Sequence, residues 1–310
     1  MAPSSPSSTT APGRRNVRRR SSALGHGPWT PYLYILPAFV VYGAFMLYPL
    51  IRAAQFSLYE WDAISPAVFV GFKNYVDLAS NEELRSAFVH AFVLIFFYSV
   101  LPVVVGLVIA AILNRAAVKG MTFFRTVIFL PQVIAMVVVA IAWTRIYASD
   151  GSLNDLLRIL GLDGVTRAWL GDYTFALPAV GLIGTWVQTG LVTILLLAGM
   201  GRIPRDLYEA ARLDGAGAIR EFLAVTLPAV RGEVAVALTL TIVAALKTFD
   251  LIYMTTRGGP GTSTTVPSYQ VYYQAFQLGQ IGTASAIGVT LTVLIFGINL
   301  IVNRVAEERE

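Results

Sequence analysis

Residues 201–233 read GRIPRDLYEAARLDGAGAIREFLAVTLPAVRGE, a polar stretch set between two long apolar ones. Pro204 suits the first turn of a helix, where its missing N–H costs nothing. Leu207, Ala210, Ala211 and Asp214 then recur at helical spacing and predict a short helix with a small, flat face. Gly215 and Gly217 end it, because glycine adopts the left-handed conformation at a helix C-terminus without steric penalty. A second helix is predicted over about Ala218–Thr226, with Ile219, Phe222 and Leu223 on one side and Arg220 and Glu221 on the other. Pro228 ends that helix or bends it into the next apolar segment. A helix–glycine–helix element beside membrane spans has two physical readings. It is an amphipathic connector lying on lipid, or its small-residue face lets a partner protein approach closely. Spacing alone does not choose between them.

Outward from this loop the chain is apolar. Of its 310 residues 56% are hydrophobic and only 13% charged, with a mean hydropathy of +0.66. Soluble domains carry about 25% charged residues, so this composition points to hydrocarbon as the solvent. Tyr173–Gly201 is 29 residues without a charge and Thr126–Thr144 is 19; a crossing helix needs about 20 apolar residues. Six segments meet the pattern: Tyr32–Leu50, Ala91–Leu113, Val127–Trp143, Ala176–Met200, Val234–Met254 and Ala284–Val302. The expected fold class is therefore all-α, a polytopic membrane protein with six transmembrane helices. The apolar run at Tyr32 is too long and too aromatic for a cleaved signal peptide and is expected to be retained.

The expected division is a disordered basic cytoplasmic tail over 1–28 and a transmembrane domain over 29–310 that carries the loop 201–233. The tail is rich in Ser, Thr and Pro and holds Arg14, Arg15, Arg18, Arg19 and Arg20. Such a composition cannot bury a core. With the tail inside, the alternation of six spans puts Arg115, Lys119, Arg125, the five arginines of 201–233, Arg304 and Arg309 on the same side, 15 of the 23 Lys and Arg. Seven fall outside and Lys247 lies within a span. This obeys the positive-inside rule and predicts a multi-pass protein of the cell membrane with both termini cytoplasmic. The arginine run reads as that topology signal and not as a nucleic-acid site.

There is no cysteine, the two histidines are far apart, and no phosphate-binding Gly-x-x-x-x-Gly-Lys-[Ser/Thr] loop occurs. The chain is thus expected to hold no cofactor or metal and to carry no catalytic residue. Any ATP and Mg would be used by another chain.

Glu209-Ala210-Ala211, three residues, Gly215, nine residues, Val225, one residue and Leu227-Pro228 resemble the EAA loop of binding-protein-dependent ABC importer permeases, departing only by Val225 for Ile. Phe249-Asp250-Leu251-Ile252-Tyr253 followed by Thr255 to Gly261 resembles the signature of the carbohydrate-uptake branch, the maltose and glycerol-3-phosphate type. So do Val70–Tyr75 and Phe123–Pro131, although Arg257 stands where many members have a small or polar residue. The resemblance implies the type I ABC importer permease (MetI-like) fold. It also implies alternating access, a second homologous permease, two ATP-binding subunits, an extracytoplasmic solute-binding protein and a sugar-like solute or polyol phosphate. Glu209, Ala210, Ala211, Asp214, Gly215, Leu227 and Pro228 would form the ATPase-coupling element.

Within the spans, Lys247 and Asp250 are three apart and are expected to pair across one turn, roughly 20–24 Å along the fifth helix. Charges at that depth face water, a partner or a solute path; the plainer alternative is a Lys247 that snorkels to the outer interface with Asp250 as its pair. Sugar rings want flat apolar faces and their hydroxyls want amides or carboxylates, which nominates Trp143, Trp186, Gln188, Phe249, Asp250 and Tyr253 for the solute path. Gln188 has a second reading as glue between helices. A permease for amino acids or inorganic anions would share the loop without the Phe249–Gly261 stretch. An ion-driven secondary transporter would want buried carboxylates, and Asp250 is the only acid well inside a predicted span. A membrane enzyme would want clustered His or carboxylates.

Overall fold

The computed structural model describes residues 29–115 and 120–307; the expected tail lies outside them, as does Lys119. Four helices are long and apolar enough to cross a membrane: α1 (Tyr32–Phe56), α3 (Glu82–Arg115), α7 (Ala176–Met200) and α13 (Ile281–Glu307). Two bent pairs complete six crossings if each pair counts as one: α4 (Met121–Val133) with α5 (Met136–Ile146), and α9 (Ala218–Ala229) with α10 (Arg231–Leu246). Residues up to Leu50 form one unit and those from Ile51 another, with α1 running through the junction. Within α1 lie Pro37 and a π turn over Gly43–Leu47.

In the second unit α7 is the central rod. It is apolar on every side and most of its residues are buried, as expected of a helix enclosed by others. The second half of α3 and all of α4 pack along it, and α10 lies against it as well as against α13. Hydroxyls inside α7 are absorbed locally: Thr189 and Thr193 donate to the carbonyls four residues back, both at 2.7 Å. Thr185 lies 3.2 Å from the carbonyl four residues back and also reaches across to the Phe97 carbonyl at 2.6 Å, tying α7 to α3. α4 meets α7 at Gly190, where a Cβ would collide with the backbone carbonyl of Ile128. The start of α3 is set by Asn81, whose side chain accepts from the Glu83 and Leu84 amides at 2.9 and 3.2 Å, with Glu82 and Glu83 in the first turn.

The segments at one end of this unit are built around buried amides. β1 (Tyr59–Glu60) and β2 (Val68–Phe69) pair antiparallel, and α2 (Lys73–Ser80) follows. Asn74 of α2 donates to the Ser57 and Tyr59 carbonyls at 2.9 and 3.0 Å. In α6 (Ser152–Ile159) the fully buried Asn154 bonds the carbonyls of Ala148 and Arg167 and accepts from the Trp169 indole. Trp169 is therefore part of a packed loop.

Two expected spans are not single helices. The segment Val127–Trp143 is broken at Ile134–Ala135, which are extended, and α4 and α5 meet there at 95°. Pro131 sits one turn before the break. The fifth segment, drawn as Val234–Met254, stops at Leu246. Lys247 closes α10, and α11 (Asp250–Thr255) starts anew after Phe249. A turn-to-turn Lys247–Asp250 pair is thereby lost, and no ion pair joins them among the described residues. The break is held by polar groups from elsewhere: the Ser268 hydroxyl of α12 (Pro267–Tyr272) donates to the Thr248 carbonyl, and Tyr98 OH lies 3.2 Å from Thr248 Oγ1. Such partners are what permits non-helical backbone at membrane depth.

Gly190→Ala should push α4 off α7 and cost about 1–3 kcal/mol, the usual range for overpacking. A lowered melting temperature of the detergent-solubilised protein would register it, and an unchanged one would refute the close approach.

Candidate functional site

The loop quoted at the outset folds as two helices. α8 (Arg205–Leu213) follows Pro204, which is the residue before its first turn and not inside it. Gly215 takes φ +78°, and its amide and that of Ala216 close the helix on the Arg212 and Ala211 carbonyls at 3.0 and 2.9 Å. Gly217 is extended instead (φ −71°, ψ 173°) and opens α9, so a single glycine makes the left-handed stop. α9 passes through a π turn at Phe222–Thr226 and ends after Pro228, where the chain bends by 68° into α10. Tyr208 OH bonds Thr226 Oγ1 at 3.1 Å, and an Arg202–Glu233 ion pair joins the ends of α7 and α10.

The expected two-sided α9 is seen at Phe222, half-buried against the core, and at exposed Arg220, but not at the other three residues. Ile219 is 77% exposed and Leu223 is also exposed, whereas Glu221 is 3% exposed. Burial penalises the Glu221 carboxylate, but the Arg212 and Arg115 guanidiniums outweigh it and hold its pKa below the usual carboxylate range. Arg115 Nη2 bonds Oε1 at 2.7 Å and Arg212 Nε bonds Oε2 at 3.1 Å. The bond to Glu221 likewise raises Arg212, with its attraction to Glu221 and then to Glu209 adding to it. Sequence spacing could not show this, since Arg115 is 106 positions away.

Glu209, Ala210, Asp214 and Gly215 are exposed on α8 and its cap, and Ala211 is half-buried. Leu207 and Leu213 are exposed beside them, Leu213 at 88%. Leu227 is half-buried and Pro228 exposed at the start of the bend. A cleft of about 920 Å³ opens next to this helix, lined by Arg115, Arg205, Tyr208, Glu209, Arg212 and Glu221. The arrangement offers a small-residue helix, flanked by exposed leucines and charges, to a protein surface.

A second cleft, of about 340 Å³, opens at the break after α10. Gln188, Phe249 and Asp250, three of the residues nominated from the sequence, line it together. Tyr98, Gln132 and Lys247 line it too and were not in the sequence-derived set. Gln132, an amide in an apolar run like Gln188, carried a readable signal; its Oε1 is buried and makes no hydrogen bond among the described residues. Tyr253 stacks on Phe249 with ring centroids 5.3 Å apart, and Tyr272 touches both rings at 5.6 and 5.2 Å. Trp143 and Trp186 form a separate edge-to-face pair at 5.6 Å and do not line this cleft. Lys247 and Asp250 are both exposed, an arrangement that hydrocarbon would penalise and that a water-filled path or a protein neighbour would accept. Among the described residues no cluster of three or more His, Cys, Asp or Glu could hold a metal ion.

Residues 102–308 match the family model described as "Binding-protein-dependent transport system inner membrane component". The chain is similar to a probable ABC transporter permease, YurN of Bacillus subtilis strain 168, at 38% identity over 273 residues, covering 87% of this chain and 93% of the relative. It is also similar to the trehalose/maltose transport system permease MalF of Thermococcus litoralis, at 36% identity, covering 90% and 94%. Among solved structures it resembles a chain of a bacterial ABC transporter involved in the import of the acidic polysaccharide alginate. The TM-score is 0.78 at 25% identity, over 90% of this chain and 96% of that one. A further match, with TM-score 0.76, is to the alginate transporter in complex with an alginate pentasaccharide-bound periplasmic protein. An apolar helical bundle with this loop and these relatives belongs to the family of inner-membrane components of binding-protein-dependent transport systems, and the chain is a permease subunit of an ABC importer.

Proposed function

We propose that this permease imports a carbohydrate, a di- or oligosaccharide or a related polyol phosphate, as one of two permeases in a complex with two ATP-binding subunits and an extracytoplasmic solute-binding protein. The observation that carries the coupling part is the exposed α8 with its Gly215 stop, a short helix that presents Leu207, Glu209 and Ala210 on an open surface. Glu209, Ala210, Ala211, Asp214 and Gly215 dock on the ATPase, and Leu227 and Pro228 set the bend through which α9 continues into α10. ATP and Mg are consumed in that partner, and this subunit contributes shape, selectivity and coupling. The loop and both termini lie in the cytoplasm, a placement supported by the bias of basic residues toward that side.

The carbohydrate part is supported by the relatives, one of which is a trehalose/maltose permease, and by the chemistry of the second cleft. Amides at Gln132 and Gln188, the Asp250 carboxylate and the Phe249 ring supply the hydroxyl partners and flat face that a sugar uses, with Tyr253 and Tyr272 packed against Phe249 outside the cleft lining. Trp143 and Trp186 are a further ring pair along the solute path. Movement of the loop tilts the helices around this cleft and switches its opening between the two sides.

In proteoliposomes holding the whole complex, Glu209→Lys should leave assembly intact and lower uptake at least about tenfold, within the usual range of site-to-site coupling. Normal uptake by that variant would refute the docking assignment. Gly215→Val forces a β-branched residue to φ +78°, at a cost of about 1–2 kcal/mol, and should loosen the end of α8, seen as faster amide exchange there. Gln188→Ala should raise the half-saturating solute concentration by on the order of tenfold, the equivalent of one lost hydrogen bond; an unchanged value removes Gln188 from the path. Because the folded-state pKa of Glu221 is depressed, its contribution to holding the loop is present above the unfolded carboxylate pKa and disappears as pH falls through the folded one. Proteolysis at the loop should therefore be slow near pH 7 and accelerate in acid, and Glu221→Gln should flatten that dependence.

A further inference from the structure

We propose that Glu221, clamped between Arg115 and Arg212, is a positioning residue that carries movement of α8 directly into the end of α3. This route is separate from the chain connections of the loop to α7 and α10. The inference rests on the docking of α8 to an ATPase proposed above.

Glu221 is 3% exposed while Ile219 and Leu223 stand open, so it is the acid of α9 that is turned into the protein. Each carboxylate oxygen is gripped by a different helix. Oε2 takes the Nε of Arg212, in the last turn of α8, and Oε1 takes Nη2 of Arg115, the last residue of α3. Arg115 Nη2 also donates to the Ala218 carbonyl at 3.3 Å, so α3 holds the first turn of α9 at two points. Arg212 is one turn beyond Glu209 and feels its charge, which places the clamp next to the docking face. Charge-assisted bonds of this kind are short and directional, so displacing α8 drags Glu221 and, through it, the end of α3. The second half of α3 packs along α7, the central rod, so a shift there reaches the bundle. A static staple would share the geometry but would not set the number of solute molecules moved per ATP.

The test uses the complete complex in proteoliposomes, with ATP hydrolysis and solute uptake measured together. Glu221→Gln keeps the side-chain shape and one acceptor oxygen while removing the charge. The expected result is continued hydrolysis with solute per ATP down on the order of tenfold; a wild-type ratio overturns the proposal. A second measurement decides the case should that variant not assemble. The chain has no cysteine, so thiols placed by Asn114→Cys and Ala218→Cys in the otherwise native subunit can be bridged with a short bis-maleimide, each thiol adding across one maleimide double bond. If the end of α3 and the start of α9 move as one body, the bridged complex still transports; blocked transport overturns the clamp. Ala210→Cys separates this from the underlying assignment. Absence of cross-linking from that position to the ATPase would overturn the docking of α8 and the clamp with it. Cross-linking together with an unchanged ratio in Glu221→Gln overturns the clamp alone.

Discussion

Inside hydrocarbon a backbone amide or carbonyl has nothing to bond but protein, and the layout of this permease follows from that constraint. Continuous helices meet it by themselves, which is why α3, α7 and α13 form the frame. The threonines of α7 obey the same rule by bonding carbonyls one turn back and, for Thr185, also a carbonyl of the neighbouring helix. Each interruption needs a donor or acceptor from elsewhere. At the end of α10 the Ser268 hydroxyl supplies it by donating to the Thr248 carbonyl, while Tyr98 OH holds the Thr248 side-chain hydroxyl.

That interruption gives the second cleft its chemistry. An uninterrupted α10 would stack Lys247 one turn from Asp250 and point both along one helix. Ending the helix at Leu246 turns Lys247, Phe249 and Asp250 out beside Gln132 and Gln188 instead. The same bend lets α11 present Tyr253 to Phe249 and to Tyr272 of α12. The elbow between α4 and α5 serves the cleft from the other side, because Gln132 lies on α4 and Met136 opens α5. A polar cavity in an apolar bundle thus comes from broken helices whose loose ends are bonded elsewhere.

At the opposite kind of surface, the 201–233 loop, water satisfies the backbone and side chains are free to specialise. Leu213 and Ile219 stand exposed while Glu221 is withdrawn between two arginines. Both guanidiniums keep part of their hydration, so only the carboxylate is desolvated, and two charge-assisted bonds offset that cost. Together with the Tyr208–Thr226 bond and the Arg202–Glu233 pair, this holds a loop of short helices in one arrangement without an apolar core of its own.

The amino-acid order alone was enough for the class of protein. Charge-free runs set the number of spans, Gly215 set the stop of α8, and the spacing from Glu209 to Pro228 carried the family, because each is a local property of the chain. Gln188 and Asp250 were legible as polar groups in apolar runs and Phe249 as a flat ring, and the structure brings those three together. What only the tertiary structure decided were the positions where partners distant in sequence overrule local pattern. Pattern read Val234–Met254 as one helix, but Ser268 and Tyr98 make a break at Thr248 affordable. Pattern put Glu221 on the wet side of α9, but Arg115, at the far end of another span, draws it in. Helical periodicity reports which residues share a face; it cannot report which charge or hydroxyl from 20 or 106 positions away will meet that face.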